Sequence, residues 1–320
     1  MSKELINLRA VKEKIMATGG FEADASALYC PNPEEWYSRA YLSDNYADLR
    51  VIPNLKESKK ISRMQFGANG TDSVLYEFEC VWEDGDSKLD TVTLEACPYS
   101  VMHSICQRDV EETFVVANMI AGNENWKNET NFFSHYWKAL ADKVAEDIAI
   151  AKWQGQNLNG FVCTGLEERI LTSQDTIDVT PSGTTSFDIN NIEEMFESLL
   201  LGLPPTVARK KKELRFYVSP QVMNLIAVSM AKNNTTNYVT TELAPTYAGI
   251  KISIQEGMSK NLIVLTRLNN LIVGVDAMGD SKNLKIRDLD CINVPKIRSR
   301  VDGKMGTLIV NEPEIVYVTY

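Results

Sequence analysis

The feature that most constrains this chain is one long amphipathic stretch near its middle, "NFFSHYWKALADKVAEDIAIAKWQGQ". Charged residues lie between apolar ones that recur at steps of three and four: Phe133, Trp137, Leu140, Val144, Ile148 and Ala151. This spacing predicts a helix over residues 132–154, roughly 34 Å long at 1.5 Å per residue and about twice the average length. Gly155 and Gly160 follow and predict its end.

A second segment begins at Phe187 and mixes helix and strand signals. A helix is predicted after the cap candidates Asn190 and Asn191, with one apolar face and an end at Gly202. "ELRFYVSP" predicts a strand, and Ser219 with Pro220 predicts the start of the next helix. "GIKISIQE" and the C-terminal "INVPKIRSRVDGKMGTLIVNEPEIVYVTY" add further strands, so the fold class is α+β.

Residues 60–95 predict a β-hairpin. The strand Ser73–Trp82 alternates, with Val74, Tyr76 and Phe78 on one face, and a second strand, Leu89–Glu95, returns after a turn at Asp84-Gly85. Because an isolated two-stranded hairpin is marginal in water, this one must lie on a larger body, either its own or a neighbour's.

Residues 1–45 predict an extended arm. Residues 3–16 have helical spacing, but the stretch that follows is interrupted by Gly, Pro, Asn and Asp and carries scattered aromatic residues such as Trp36 and Tyr37. It contains little that forms a core by itself. We therefore expect this arm to lie on another surface.

Charge and hydropathy exclude some classes of function. The 320 residues fit about two domains, and the net charge of −10 argues against wholesale nucleic-acid binding, which needs clustered Lys and Arg. One local exception, "ARKKKE" at residues 208–213, is interpreted as a solvated loop. No apolar run of about 18 residues predicts a membrane span, and no signal peptide is recognisable.

The six cysteines are scattered, without a C-x-x-C pair, and are expected to be free buried thiols. Cys97, His103 and Cys106 form a C-x5-H-x2-C pattern that is not a usual zinc spacing. The sequence therefore predicts neither a metal nor a cofactor.

Two short apolar runs, Leu262–Thr266 and Leu271–Val275, flank Asn269-Asn270 and are followed by Asp276 and Asp280. Acids in this position fit either a soluble α/β enzyme or turns that end strands. There is no phosphate-binding glycine loop and no G-x-S-x-G elbow. The pattern favours a structural protein that is not an enzyme, with the enzyme as the alternative.

The order of elements resembles a tailed-bacteriophage major capsid protein of the Hong Kong ninety-seven-like fold. Four stretches carry the resemblance: "ADKVAEDIAIAKWQGQNLNGFVCTGL", "ELRFYVSPQVMNLIAVSMAKNN", "YAGIKISIQEGMSKNLIVLTRLNNLIVGVDAMGD" and "RVDGKMGTLIVNEPEIVYVTY". Two departures are the missing proline in "GIKISI" and an N-terminal region too short for a fused scaffolding domain.

The resemblance implies five regions. They are an N-terminal arm at 1–45, an extended hairpin loop at 46–95, a peripheral domain at 96–186 with the spine helix, an axial domain at 187–300, and a C-terminal strand at 301–320 that returns to the peripheral domain. The residues expected to contact other subunits are Val74, Tyr76, Phe78, Leu89, Val92, Trp36 and Tyr37.

The resemblance also implies function and partners. The subunit would form pentamers and hexamers of an icosahedral head in the virion, assembled in the host cytoplasm, enclosing DNA without sequence-specific binding. A portal and separate scaffold or decoration proteins are the expected partners, and no cofactor or membrane is expected. The closest alternative is an encapsulin-like nanocompartment shell, and the alternative of another class is a soluble α/β enzyme that uses Asp276 and Asp280.

Overall fold

The computed structural model describes residues 48–66, 87–106, 129–155, 163–232, 245–276, 284–288 and 296–320. The helices are α1 (Glu129–Gln154), α2 (Leu166–Thr172), α3 (Ile192–Leu201), α4 (Pro205–Ala208) and α5 (Pro220–Lys232). The strands are β1 (Arg50–Pro53), β2 (Lys59–Phe66), β3 (Ser87–Leu94), β4 (Cys97–Cys106), β5 (Ile177–Asp178), β6 (Leu214–Val218), β7 (Thr246–Tyr247), β8 (Ile250–Ile254), β9 (Leu262–Arg267), β10 (Leu271–Val275), β11 (Leu284–Asp288), β12 (Lys296–Ile309) and β13 (Val316–Thr319).

The chain divides into two compact units. The described residues of the first unit are 98–106, 129–145, 284–288 and 296–303. Those of the second unit are 48–66, 87–97, 146–155, 163–232, 245–276 and 304–320. Helix α1 and strand β12 each contribute residues to both units. In the described part of the chain, no helix is long and apolar enough to cross a membrane.

Helix α1 confirms the predicted long helix and begins three residues earlier than expected, at Glu129. At 1.5 Å per residue, its 26 residues span about 39 Å. It ends at Gly155, whose φ of +70° is the left-handed conformation that a glycine after a helix adopts readily, and whose N–H donates to Ala151 O at 3.0 Å.

The second unit is built around a six-stranded sheet with the order β5–β13–β9–β6–β8–β7. Strand β6 lies inside it, parallel to β8 and antiparallel to β9. Strands β6 and β9 are buried along most of their length, which is why both read as continuous apolar runs.

Helices α3 and α5, both predicted from the sequence, pack on one face of this sheet. In α3 the buried residues are Ile192, Met195, Phe196 and Leu199, which make up most of the predicted apolar face. At the start of α5, Ser219 accepts the N–H of Met223 through its carbonyl and that of Val222 through its hydroxyl. The core they form also holds residues of β6, β8, β9 and β13.

The second sheet joins β1 in parallel to β10, and β10 antiparallel to the end of β12, with Leu271 opposite Ile309. In the first unit, β11 pairs antiparallel with the beginning of β12, and β4 also pairs with β12. Strands β2 and β3 form a separate two-stranded sheet with eight paired positions, from Lys59 opposite Leu94 to Phe66 opposite Ser87.

The predicted hairpin pairing needs correction. The sequence paired Leu89–Glu95 with Ser73–Trp82 across Asp84-Gly85, but the described partner of β3 is Lys59–Phe66. Residues 67–86, including the predicted strand and turn, lie outside the described residues. In Lys59–Phe66 the apolar residues are Ile61, Met64 and Phe66, which do not alternate strictly with polar ones, so sequence periodicity did not mark this segment as the partner.

Strands β9 and β10 are neighbours in sequence but belong to different sheets. Asn270 lies between the two strands and fixes the turn at which the chain leaves one sheet for the other. Its buried side chain donates to Thr266 Oγ1 and to Asn311 O, both at 2.8 Å, and accepts from Asn311 N at 2.7 Å. The two apolar runs therefore do not pair with each other. The turn between them is a crossover from one sheet to the other.

The final strand, β13, pairs antiparallel with β9 and parallel with β5 in the six-stranded sheet. That residues 301–320 belong to a peripheral domain stays a prediction. The short 3-10 turn at Glu312–Glu314 separates β12 from β13. Because "VYV" of β13 is buried, it needs a sheet neighbour on each side, which β9 and β5 provide.

Candidate assembly interface

The base of the β2–β3 sheet packs on a small apolar cluster of its own chain. The buried members are Leu55, Leu94, Ile272 and Leu308, and Ile61 and Val92 are partly buried against them. Ile61 and Val92 are opposite each other in the register, so one face of the strand pair lies on the body of the second unit. The predicted dependence of this hairpin on a larger body is therefore met at its base.

Two glycines make room for this contact. Gly274 of β10 and Gly306 of β12 are register partners. A Cβ on Gly274 would lie 2.6 Å from Leu55 Cδ2, and one on Gly306 would lie 2.0 Å from Glu95 O. Side chains at this pair of positions would push the base of the hairpin away from the sheet.

The hydrogen bonds of one arginine fix the same strand pair. Arg63 of β2 donates through Nη2 and Nε to Asp90 Oδ2 of β3, at 2.8 and 3.1 Å. Its Nη1 donates to Val310 O at 3.2 Å, just after the end of β12. Arg63 therefore joins both strands of the hairpin to the C-terminal part of the second unit.

A disulfide links the end of the hairpin to the segment that follows α1. Cys97, three residues after β3, is bonded to Cys163, with Cα atoms 5.8 Å apart and a sequence separation of 66. The expectation of free thiols is wrong for these two cysteines, because sequence spacing does not reveal which distant residues the fold brings together. Cys106 is a free thiol, and the remaining three cysteines lie outside the described residues.

The described part of the chain begins at Asp48. The Asp48 carboxylate contacts Lys251 Nζ at 2.9 Å and Arg215 Nε at 3.4 Å, and its carbonyl accepts from Tyr217 Oη at 2.6 Å. Burial raises the pKa of the Asp48 carboxyl, but Lys251 and Arg215 outweigh it, so the pKa lies below its ordinary value. Asp48 therefore anchors the start of β1 on the six-stranded sheet.

The last turn of α1 lies against the loop after β8. Trp153 Nε1 and Lys152 Nζ both donate to Gln255 Oε1, at 3.2 and 3.4 Å. Burial lowers the pKa of Lys152 to about 7, and the nearby Glu256 partly opposes this shift. These contacts attach the end of the long helix to the unit that contains the six-stranded sheet.

The polar residues considered for chemistry do not converge. Cys97 is in the disulfide, whereas His103 Nδ1 lies 2.6 Å from Tyr136 Oη, so the C-x5-H-x2-C pattern forms no shared site. Among the described residues, no group of three His, Cys, Asp or Glu is placed to hold a metal. Asp276 ends β10 and donates its backbone N–H to Lys304 O, while Asp280 lies outside the described residues.

A cleft of 390 Å³ lies beside the turn after β9. Its charged lining residues are Arg50, Glu213, Arg267 and Glu314. Arg267 Nη1 pairs with Glu314 Oε1 at 3.2 Å, and burial raises the pKa of Glu314. Asp276 is not among the lining residues, so this cleft gives no support to the enzyme alternative.

The predicted inter-subunit residues fall in three groups. Trp36, Tyr37, Val74, Tyr76 and Phe78 lie outside the described residues. Leu89 is opposite Met64 in the β2–β3 register, and Val92 packs on the cluster of its own chain. Which of them contact a neighbour stays a prediction.

No protein-family model matches the chain, and no curated protein matches it in sequence. Solved structures do match. The capsid of an empty GTA particle has a TM-score of 0.56 at 15% identity, covering 88% of this chain and 90% of that one. The satellite phage P4 procapsid, which includes the size determination (Sid) protein, has a TM-score of 0.54 at 10% identity, covering 89% and 97%.

A third match is Mycobacterium phage Ogopogo, with a TM-score of 0.52 at 13% identity, covering 87% of this chain and 91% of that one. Likenesses at such low identity concern the fold. They extend over nearly the whole of both chains in each case, so the match is not confined to one sheet or one helix pair. The protein therefore has the Hong Kong ninety-seven-like fold of tailed-bacteriophage capsid proteins.

Proposed function

We propose that this chain is the major capsid protein of a tailed phage, a shell subunit that forms pentamers and hexamers around double-stranded DNA. The observation that carries the proposal is the near full-length likeness to capsid chains, 88% of this chain against 90% of the GTA capsid chain. In this proposal the subunit has a structural role and performs no catalysis.

The anchored base of the β2–β3 sheet supports this function. Its cluster has four buried residues, which secure the end near Leu94 but leave the other end, at Phe66 and Ser87, leading into residues 67–86. A strand pair held at one end has unpaired edges and apolar side chains that a neighbouring subunit can cover. Residues 46–95 would then be the extended loop, with Tyr76 and Phe78 in the contact.

The disulfide and the contacts of Arg63 also support the role of this segment as an extended loop. A loop that transmits contact forces between subunits has to be fixed to its own body, and Cys97–Cys163 and the Arg63–Asp90–Val310 contacts do this at its base. When one patch meets a different patch on the next copy, the contact is heterologous and closes into rings. Rings of five and six subunits tile an icosahedral shell.

The test is assembly of the purified full-length protein, followed by size-exclusion chromatography and electron microscopy. We expect megadalton shells for the parent and unassembled, folded protein for Tyr76→Asp and Phe78→Asp, because a buried carboxylate in the contact is costly. Tyr76→Phe is the matched control and should assemble. Circular dichroism verifies that each variant is folded.

A parent protein that stays a monomer at high concentration contradicts the proposal and favours a soluble enzyme. Shells isolated from the native source separate the phage head from a nanocompartment. The head contains double-stranded DNA, whereas a nanocompartment encloses a protein cargo. Finding a protein cargo would replace the phage function while leaving the shell function in place.

A further inference from the structure

A run of basic residues forms the loop between α4 and β6 in the second unit. Arg209, Lys210, Lys211 and Lys212 follow one another, and all four are exposed. Among the described residues, no ion pair joins any of them to an acidic side chain. Like charges this close repel one another, so an acidic partner would stabilise these four residues, which we call the basic loop.

Helix α3 carries a group of acidic residues. Glu194 and Glu197 are exposed, and the partly buried Glu193 accepts a hydrogen bond from Ser229 Oγ at 2.8 Å. Residues three and four positions apart are neighbours on a helix, so Glu197 lies beside both other acids, and like charges at this spacing destabilise the helix. Within the described part of the chain, Glu194 and Glu197 have no ion pair. We call the three acids the acidic face.

The acidic face lies near β7, at one edge of the six-stranded sheet. The ring of Phe196, which lies between Glu194 and Glu197 in sequence, is 5.0 Å from the ring of Tyr247 in β7. Burial raises the pKa of Tyr247, and the charges of Glu197 and Glu193 raise it further. The acidic face is therefore on the half of the sheet that contains β8 and β7.

The basic loop lies toward the other half of the same sheet. Glu213, directly after the loop, accepts the backbone N–H of Leu268 at 2.9 Å, and Leu268 follows the last residue of β9. Burial raises the pKa of Glu314, two residues before β13, and the nearby charges of Arg267 and Lys210 partly oppose this shift. Because β9 and β13 are neighbours on the side of β6 away from β8 and β7, the two charged groups lie on different halves of the sheet.

We propose that the basic loop of one subunit docks on the acidic face of the next subunit in a ring. The inference rests on the proposed function, and it assigns to the ring contact two charged groups that the proposed function leaves open. A contact between two different patches is heterologous, which is the kind that closes into rings. Charge complementarity across such a contact sets the orientation of the partners and speeds their association.

The presence of both groups on one sheet favours a second copy as the partner. Each copy then supplies the acidic partner for one neighbour and the basic partner for the other. A polyanion such as DNA would offset the charge of the basic loop alone and would leave the acidic face unpaired. A second copy is therefore the partner that offsets the repulsion within both groups.

The experiment reverses the charge of each group in the full-length protein. Glu194→Lys/Glu197→Lys places basic residues opposite the basic loop, and Lys211→Glu/Lys212→Glu places acidic residues opposite the acidic face. Sedimentation velocity measures the formation of rings, and light scattering measures the rate of shell assembly. Each double variant should assemble roughly 10- to 1,000-fold more slowly than the parent at low salt. The difference should shrink in about 1 M salt, where the Debye length is about 3 Å.

Combining the two double variants separates a direct contact from a general effect of charge. The variant with all four substitutions again has opposite signs on the two groups and should assemble about tenfold or more faster than either double variant at low salt. Glu57→Lys/Asp175→Lys is the charge-matched control for the change on α3. It alters exposed residues outside both groups and should assemble at the rate of the parent.

A double variant that assembles as fast as the parent at low salt overturns the proposal. So does a variant with all four substitutions that is no faster than the two double variants. Circular dichroism verifies folding. If a reversal variant is unfolded, Glu194→Gln/Glu197→Gln or Lys211→Gln/Lys212→Gln replaces it, and slower assembly at low salt is again expected.

The parent protein distinguishes a failure of this inference from a failure of the proposed function. Shells of the parent that form regardless of these substitutions contradict only the docking of the two groups. A parent that forms neither rings by sedimentation nor shells by electron microscopy contradicts the proposed function and this inference together.

Discussion

The six-stranded sheet and the two-stranded β2–β3 sheet differ in how they bury apolar surface. The larger sheet shares a core of seventeen buried residues with α3 and α5. The smaller one is secured by a cluster of four buried residues beneath its base. The first therefore supplies most of its own stability, whereas the second depends on attachments at one end. In the proposed shell subunit, the first would be the body that folds alone and the second the extension that a neighbour covers.

Breaking the larger core should have the largest effect. Phe216 is fully buried in β6, with its ring 4.9 Å from that of Phe196. Phe216→Ala should lower the free energy of unfolding by about 3–5 kcal/mol. Urea denaturation followed by circular dichroism measures it, and Leu201→Ala, at a residue that is 87% exposed, is the control. A change below about 1 kcal/mol would show that this sheet is not the main core.

Weakening the four-residue cluster beneath the β2–β3 sheet should destabilise that sheet without destabilising the six-stranded sheet. Leu94→Ala removes a fully buried side chain beneath the hairpin and should cost about 2–5 kcal/mol where the cluster is formed. Amide hydrogen exchange should accelerate in residues 59–66 and 87–94, while β6 and β9 keep their protection. Uniform acceleration across both sheets would mean that the two regions unfold as one.

Removing the disulfide tests the covalent attachment of the hairpin. Cys163→Ser should cost about 2–4 kcal/mol, because closing a long loop restricts the unfolded chain. The parent treated with a reductant should show the same loss, whereas the variant should be insensitive to reductant. Mass spectrometry of the non-reduced protein should find the peptides of Cys97 and Cys163 linked, and two free thiols there would contradict the assignment.

The smallest effect should come from the ion pairs of Asp48 with Lys251 and Arg215. Asp48→Asn should cost about 1 kcal/mol at neutral pH, because partly exposed ion pairs contribute little. The pKa of Asp48 is depressed in the folded state, so its contribution is present above the unfolded pKa and is lost as the pH falls through the folded pKa. The free energies of unfolding of parent and variant should therefore converge in acid. A difference between them that stays constant down to pH 2 would contradict this interpretation.

Local sequence patterns predicted three of the five helices in the described residues. The apolar spacing of α1 and α3 and the Ser219-Pro220 start of α5 all correspond to the observed elements. In each case the signal depends on residues within about four positions of one another, which share a helical face or a cap. The strands β6, β8, β9 and β10 were found for a similar reason, as short apolar runs between turn residues.

Partners distant in sequence were not predictable in this way. The Cys97–Cys163 bond and the pairing of β3 with β2 depend on register or on long-range contact. No spacing in the sequence marks either of them.

By itself the sequence determined the helices α1, α3 and α5, the strands β6, β8, β9 and β10, and the apolar faces of these helices, because those properties arise from neighbouring residues. Only the tertiary structure decided that β9 and β10 part at Asn270 into different sheets and that β13 joins β9. A strand edge accepts any complementary backbone, so the choice among partners is made by the packing of the whole chain.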